Sequence, residues 1–317
     1  MAAIGMALVL GVLVAVVSVP VAAVVVNFPD PGLEEAIRRA IDKPTGDIVD
    51  NDLVGLTYLS VWGRSISNLE GIQHCVDLTE LDLVSNQIVN ISPVSNLTNL
   101  TTLWLWGNEI IDIRELAVLT KLERLELREN QIVDISALSG LTNLTELNLY
   151  GNQIVDISVL SGLTNLTRLG LSENEIIDIS ALSSLTNLTG LRLDYNEIVD
   201  ISPLSGLINL TELWLNSNEI VDISPLSGLI NLAELSLNSN EIVDISSLSG
   251  LTNLTGLNLY NNEISDIQAL VDNLGLGVRS WVDLRNNYLD LTSGSPNMMD
   301  IEALQSRRVH VDFDPQN

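Results

Sequence analysis

The stretch "LTELNLYGNQIVDISVLSGLTN", residues 144–165, decides the fold because the chain repeats it. Its frame is L-x-x-L-x-L-x-x-N-x-I-x-D-I-x-x-L-x-x-L-x-N. The first asparagine of the frame recurs as Asn86, Asn108, Asn130, Asn152, Asn174, Asn196, Asn218, Asn240 and Asn262, every 22 residues. A fixed period of this length is the mark of a solenoid, in which each unit stacks on the last. Counting outward gives eleven units over 56–290. The first starts at Leu56 and has Arg64 in the asparagine place. The last keeps Asn287 after a 25-residue step, with the extra residues in "VDNLGLGVRS".

Each part of the unit has a physical role. Leu147 and Leu149 alternate with Glu146, Asn148 and Tyr150, which predicts a short strand paired with its copies in a parallel sheet. Stacking is compulsory, since one unit cannot bury its leucines alone. Ile157, Leu160 and Leu163 are spaced by three, which fits a 3₁₀ turn. Pro93, Pro203 and Pro225 fall at the start of that turn, where a missing N–H costs little. Eleven strands at about 4.8 Å each give a sheet roughly 50 Å long.

Two polar columns run through the repeat. A buried asparagine amide both donates and accepts, so it can satisfy backbone groups where each coil leaves its strand. The column Asp112, Asp134, Asp156, Asp178, Asp200, Asp222, Asp244 and Asp266 precedes the 3₁₀ turn and can cap its free N–H groups. Stacked carboxylates would also suit calcium. However, the chain has no Gly-rich, Asp-rich calcium loop and capping accounts for every copy, so neither a metal nor any other cofactor is expected. Triplets such as Asn143-Leu144-Thr145 look like glycosylation sequons, but the period of the repeat is enough to produce them.

Composition narrows the function. Hydrophobic residues make up 46% of the 317 residues but aromatics only 4%, so the core is built from Leu, Ile and Val. The net charge of −27, from 41 acidic and 14 basic residues, repels phosphate backbones and excludes nucleic acid as a partner. One cysteine, Cys75, and two histidines, His74 and His310, leave little material for disulfides, zinc sites or catalytic triads. Cys75 lies among Ile72, Val76 and Leu78 and reads as a small buried hydrophobe.

The ends differ from the repeats. Residues 1–26 are uncharged and apolar, with Val21-Ala22-Ala23 as a small-residue cleavage site, and read as a signal peptide or N-terminal anchor. No Lys or Arg precedes the apolar run, which is long enough to span a bilayer if uncleaved. Membrane contact is expected only through this segment. Residues 27–55 open with "FPDPGLEEAIRRAI", which puts Leu33, Ala36, Ile37, Ala40 and Ile41 on one helical stripe. That helix would close the first coil, as a terminal unit must. Residues 291–317 form the other cap, where Val309, Val311 and Phe313 alternate as a final strand with His310 turned outward.

The 22-residue unit with "NxIxDI" and "LxxLxNL", together with "FPDPGLEEAIRRAIDKPTGDI", resembles the internalin-like leucine-rich repeats of bacterial surface and secreted proteins. The resemblance covers residues 27 to about 290. It implies an α/β solenoid with the parallel sheet on the concave face, 3₁₀ turns on the convex face and a helical N-terminal cap. It also implies a concave face that binds another protein and carries no catalysis.

Strand positions that alternate with the core leucines face the concave side. They hold all five tryptophans: Trp62, Trp104, Trp106, Trp214 and Trp281. Tyr58, Tyr150 and Tyr260 follow the same rule, and Tyr195 sits one place further on. Arg124, Arg128, Arg168, Arg192 and Arg285 join them. The densest patch is Tyr58, Trp62, Val84, Trp104 and Trp106, rimmed by Arg124, Glu126, Arg128 and Glu129. Tyr, Trp and Arg dominate binding hot spots. The expected partner-binding set is therefore Tyr58, Trp62, Val84, Trp104, Trp106, Arg124, Arg128, Tyr150, Arg192, Trp214, Tyr260 and Trp281. The expected function is an exported, monomeric, non-enzymatic module, adhesin-like, that takes a protein ligand. A carbohydrate ligand stacked on the same aromatic face is the alternative.

Overall fold

The computed structural model describes residues 23–317, so most of the N-terminal apolar segment lies outside the described residues. The helical cap begins earlier than residue 27. Val26 N donates to Ile48 O (2.8 Å) and Asp50 N to Val24 O (2.9 Å), so residues 24–26 are paired into it. Helix α1 (Pro31–Ala40) follows, with Asp30 Oδ1 accepting from the N–H groups of Gly32 and Leu33. The stripe buries Leu33, Ala36 and Ile37 against the first coil. Asp30 Oδ2 reaches Ser67 N at 3.0 Å and ties the helix to that coil. Gly71, at φ +101°, has no room for a Cβ, which would sit 2.5 Å from the Phe28 ring.

Twelve parallel strands form one open sheet in strict chain order. They are β1 (Tyr58–Ser60), β2 (Glu80–Asp82), β3 (Thr102–Trp104), β4 (Arg124–Glu126), β5 (Glu146–Asn148) and β6 (Arg168–Gly170). Then come β7 (Gly190–Arg192), β8 (Glu212–Trp214), β9 (Glu234–Ser236), β10 (Gly256–Asn258), β11 (Trp281–Asp283) and β12 (His310–Asp312). From β1 to β10 the register is the repeat itself, as in Leu81 opposite Leu103 and Leu103 opposite Leu125. The ladder runs on past each strand: Leu105 N donates to Glu126 O (2.8 Å) and Gly107 N to Arg128 O (3.0 Å). Five-residue 3₁₀ turns recur from Ser92–Asn96 to Ser246–Gly250 on the opposite side.

Behind the sheet the core is a continuous stack. In one coil Leu144, Leu147, Leu149, Ile154, Ile157, Leu160 and Leu163 are all buried, each contributing about 1.5–3 kcal/mol. Cys75 is buried among them, and burial pushes its thiol up to about 12.

The asparagine column bonds across coils. Asn130 Nδ2 donates to Leu127 O (3.1 Å) and Arg128 O (3.1 Å) in its own coil, and to Leu105 O (3.0 Å) in the preceding one. Its Oδ1 accepts from Ile110 N at 3.0 Å. The same set repeats at each copy through Asn287. The aspartates act one place further out than a formal cap. Asp134 Oδ1 accepts from Ser136 N at 2.8 Å, the first residue of the turn, while Ile135 occupies the cap position. That backbone N–H holds the Asp134 carboxyl below its ordinary value. The sequon asparagines are also engaged: Asn143 Nδ2 donates to Thr120 O and Asn165 Nδ2 to Thr142 O, both at 2.8 Å.

The C-terminal end departs from the repeat. A short helix, α2 (Gln268–Asp272), replaces the 3₁₀ turn before the 25-residue step. A further helix, α3 (Pro296–Ser306), is hidden from the alternation read in this tail. Its signals are Ser295, whose hydroxyl accepts from Met298 N, then Pro296 and the buried pair Ile301 and Leu304. β12 then closes the sheet, with Val311 inward and His310 exposed.

The asparagine geometry gives a graded test by thermal unfolding. Asn130→Ala leaves Ile110 N without a partner and takes one of two donors from each of Leu105 O, Leu127 O and Arg128 O, and is expected to cost about 1–3 kcal/mol. Asn130→Asp keeps the acceptor but loses the donors, and is expected to cost nearly as much. A loss below about 1 kcal/mol for both would contradict the role assigned to the column.

Candidate functional site

The sheet's outward positions form three rows, each with one residue per coil. One row holds Tyr58, Thr102, Arg124, Glu146, Arg168, Gly190 and Glu212; the next holds Trp104, Glu126, Asn148, Gly170, Arg192 and Trp214. The third lies just beyond the strands and runs through Trp62, Val84, Trp106, Arg128 and Tyr150.

The aromatic residues are not equally open. Trp62 is 63% exposed and Tyr58 is 53% exposed, whereas Trp104, Trp106 and Trp214 are half-buried. Val84 does not offer the surface expected of it: between Trp62 and Trp106 in its row, it keeps 8% of its area open. Trp281 and Tyr195 are exposed, and Tyr150 and Tyr260 are half-buried. Tyr195 is held at φ +56°, the left-handed region, where Gly107 and Gly151 stand in other coils. A non-glycine residue there stores about 1 kcal/mol of strain.

Arginines cover several of the rings. The Arg128 guanidinium lies 4.6 Å from the Trp106 ring centre, Arg192 lies 4.3 Å from Trp214, and Arg285 lies 5.7 Å from Tyr260. A cation over an aromatic face contributes about 0.5–1 kcal/mol at a surface and more when water is excluded. At Trp106 and Trp214 the neighbouring coil's arginine shields one face of an outward ring. Trp106 Nε1 is covered and has no acceptor among the described residues. Arg128 Nε approaches Glu126 Oε2 to 2.9 Å, a charge contact whose angle misses hydrogen-bond geometry. Burial raises the Glu126 carboxyl above the ordinary glutamate value, and Arg128 only partly offsets this.

Between Glu126 and Trp214 the sheet dips into a recess of about 240 Å³. Gly170 and Gly190 create it by leaving side-chain places empty. A Cβ on Gly170 would meet Asn148 Oδ1 at 2.6 Å, so the asparagine leans over the glycine. Gly190 has room for a Cβ, and the Arg168–Glu212 ion pair (3.5 Å) reaches across it. Arg192 has no carboxylate within ion-pairing distance among the described residues. Strand alternation alone does not reveal this recess; its signal is two small residues at outward places. Among the described residues no group of three or more acidic, His or Cys side chains is placed to hold a metal ion. No helix among them is long and apolar enough to cross a membrane.

The family model for leucine-rich repeats (two copies) matches residues 76–118, 120–162, 142–185, 164–206, 186–228 and 230–272. An internalin (InlF) from Listeria monocytogenes is 33% identical, covers 91% of each chain and superposes with a TM-score of 0.77. This chain belongs to the internalin-like leucine-rich repeat proteins. Internalin C2 from the same organism is 41% identical over 68% of this chain and 97% of its own, with a TM-score of 0.66. The functional domain of Listeria InlJ is 25% identical over 90% of this chain and 60% of its own, with a TM-score of 0.75. InlJ includes a cysteine ladder, whereas this internalin-like chain has the single Cys75. Comparison with curated proteins gives no match. Leucine-rich repeat folds of this kind are generally protein-interaction modules.

The Glu126 environment carries a pH signature. The fold disfavours its ionised form, so Glu126→Gln is expected to raise Tm at pH 7. Well below the ordinary glutamate range the folded and unfolded parent both hold the proton, and the two chains are expected to melt together. A glutamine variant less stable than the parent at pH 7 would show that the Arg128 contact outweighs burial.

Proposed function

We propose that this internalin-like chain is an exported binding module that takes a protein partner on the concave face of its sheet. The observation that carries the reading is the separation of roles within the repeat. Inward positions copy one another from coil to coil, while the outward rows vary and hold every tryptophan. At Trp106, Trp214 and Tyr260 a ring stiffened by an arginine forms a pre-ordered anchor, and such residues contribute most at interfaces. Two anchor regions emerge: the Trp62–Trp104–Trp106 patch, and the Trp214 wall of the recess with Arg192 stacked on it. Non-catalytic action fits an open sheet face rather than an enclosed pocket.

Export rests on the uncharged segment ahead of the cap, and fractionation of expressing cells tests it: recovery of the full-length chain in the cytoplasm would refute this part. Binding is tested by capture from surface-protein extracts with the immobilised chain, followed by affinity measurement on the captured protein. Trp106→Ala is expected to weaken that complex by roughly 2 kcal/mol and to lower stability by about 1 kcal/mol through the lost Arg128 stacking. Leu105→Ala is expected to reverse the pattern, costing about 2–5 kcal/mol of stability with affinity per folded molecule retained. Unchanged affinity in Trp104→Ala, Trp106→Ala and Trp214→Ala alike would sink the proposal. Capture of glycans in place of protein on an array would move the same face to the carbohydrate reading.

A further inference from the structure

A second surface runs along the edge where each coil leaves the sheet. Three residues after each ladder asparagine, from Val89 to Val243, stands a Val or Ile that is 48–56% exposed in all eight coils. Coils are held together at this edge by backbone bonds such as Glu175 N to Ile154 O and Glu197 N to Ile176 O, both 3.0 Å. The spacing between coils is therefore that of a sheet, about 4.8 Å. Consecutive members line shared troughs: Val133 with Val155, then Val155 with Ile177. The result is an unbroken apolar stripe roughly 34 Å long, from seven steps of about 4.8 Å. Exposed apolar patches of a few hundred Å² mark interaction sites.

One acidic column borders the stripe from Ile111 to Val243, and a second borders it without a break from Ile177 to Val243, with Gln131 and Gln153 in the second at Val133 and Val155. Asp112, Asp134 and their copies follow it by one residue, and Glu175, Glu197, Glu219 and Glu241 precede it by two, all exposed. Folding does not require the exposed Val or Ile, because the buried Ile on either side, such as Ile176 and Ile179, serves the core.

We infer that this edge docks a basic amphipathic α-helix of a partner polypeptide, independently of the concave face. Charge gives the first argument, since an apolar track with carboxylates along one border throughout Ile111–Val243 and along both over Ile177–Val243 complements a lysine- or arginine-bordered apolar face. Spacing gives the second. Apolar residues along a helix face recur every 3.5 residues or so, about 5.3 Å apart, close to the stripe's 4.8 Å. Alternate residues of an extended strand are about 6.6 Å apart and fall out of step within a few coils. A helix of about 22 residues would span the whole stripe. Two copies of this chain would bring like-charged rows together, which disfavours self-association through this edge.

The probe is a fluorescent 22-residue peptide with leucines at i, i+3, i+4 and i+7 and lysines flanking them, titrated into the full chain at physiological salt. Two controls have the same composition: a scrambled order with no apolar face, and an alternating order that favours a strand. The helical peptide is expected to bind at least tenfold more tightly than either. The triple variant V155T/I177T/V199T, whose fold is verified by an unchanged melting curve, is expected to lose tenfold or more. Trp104→Ala with Trp106→Ala is expected to leave peptide affinity unchanged. Equal binding of the scrambled peptide would reduce the edge to a bare charge effect and overturn the inference. So would tighter binding of the alternating peptide, an unaffected triple variant, or self-association of the chain abolished by the same threonines.

Discussion

One side-chain amide per coil sets what the rest of the structure can be. Where the backbone leaves the strand, one carbonyl and one N–H of each coil, such as Leu127 O and Ile132 N, turn inward, out of reach of water. Asn108, Asn130, Asn152 and their copies satisfy them, each bonding its own coil and the one before it. Because the bonds cross between coils, the column fixes the register at which leucines stack. A buried polar group without a partner costs about 1–3 kcal/mol, so a coil lacking its asparagine would lose the connection as well as the bonds. The first coil shows how the rule is met at an end. There Arg64 replaces the asparagine, and Asn86 of the next coil accepts from Arg64 N and Ile66 N. Helix α1 covers the exposed side.

With register and core assigned to inward positions, the outward ones are free to vary. Gly, Asn, Arg, Glu and Trp all occupy the central outward row without disturbing the strands beneath. This freedom gives a face that is rough in shape and mixed in charge, on a chain of net charge −27. Arg128 and Arg192 stand over Trp106 and Trp214 on this face. The edge carrying the Val and Ile stripe has the opposite character: regular, apolar along its centre and acidic at its borders.

The period made most of the fold legible. Nine asparagines in step gave the strands, the 3₁₀ turns and the coil count, because a repeat that stacks leaves little freedom in how it does so. Helix α1 was readable from Asp30 and the stripe Leu33, Ala36 and Ile37. The alternation Val309, Val311, Phe313 foretold β12 but masked α3, whose own cap at Ser295 was the better guide. At the candidate site, alternation told which residues point outward but not how open they are. Val84 is buried because its row neighbours on both sides are tryptophans, and Trp106 is half-covered because Arg128 of the next coil lies on it. Such contacts depend on side-chain reach between coils, 22 residues apart, which a single unit does not reveal. The recess at Gly170 and Gly190 is hidden from alternation for the same reason, since an absent side chain has meaning only against its neighbours.

The central claim is that asparagines and inward leucines hold the coils together while the outward aromatic rows are left free for binding. Native-state hydrogen exchange on the parent and on a variant carrying Trp104→Ala, Trp106→Ala and Trp214→Ala tests it most directly. The amides of Ile110, Ile132, Ile154 and Ile176, each held by an asparagine of the next coil, are predicted to exchange only through near-global opening in both chains. If removing the tryptophans instead lets these amides open locally, the rings are part of the scaffold, and the division between inward and outward roles is wrong.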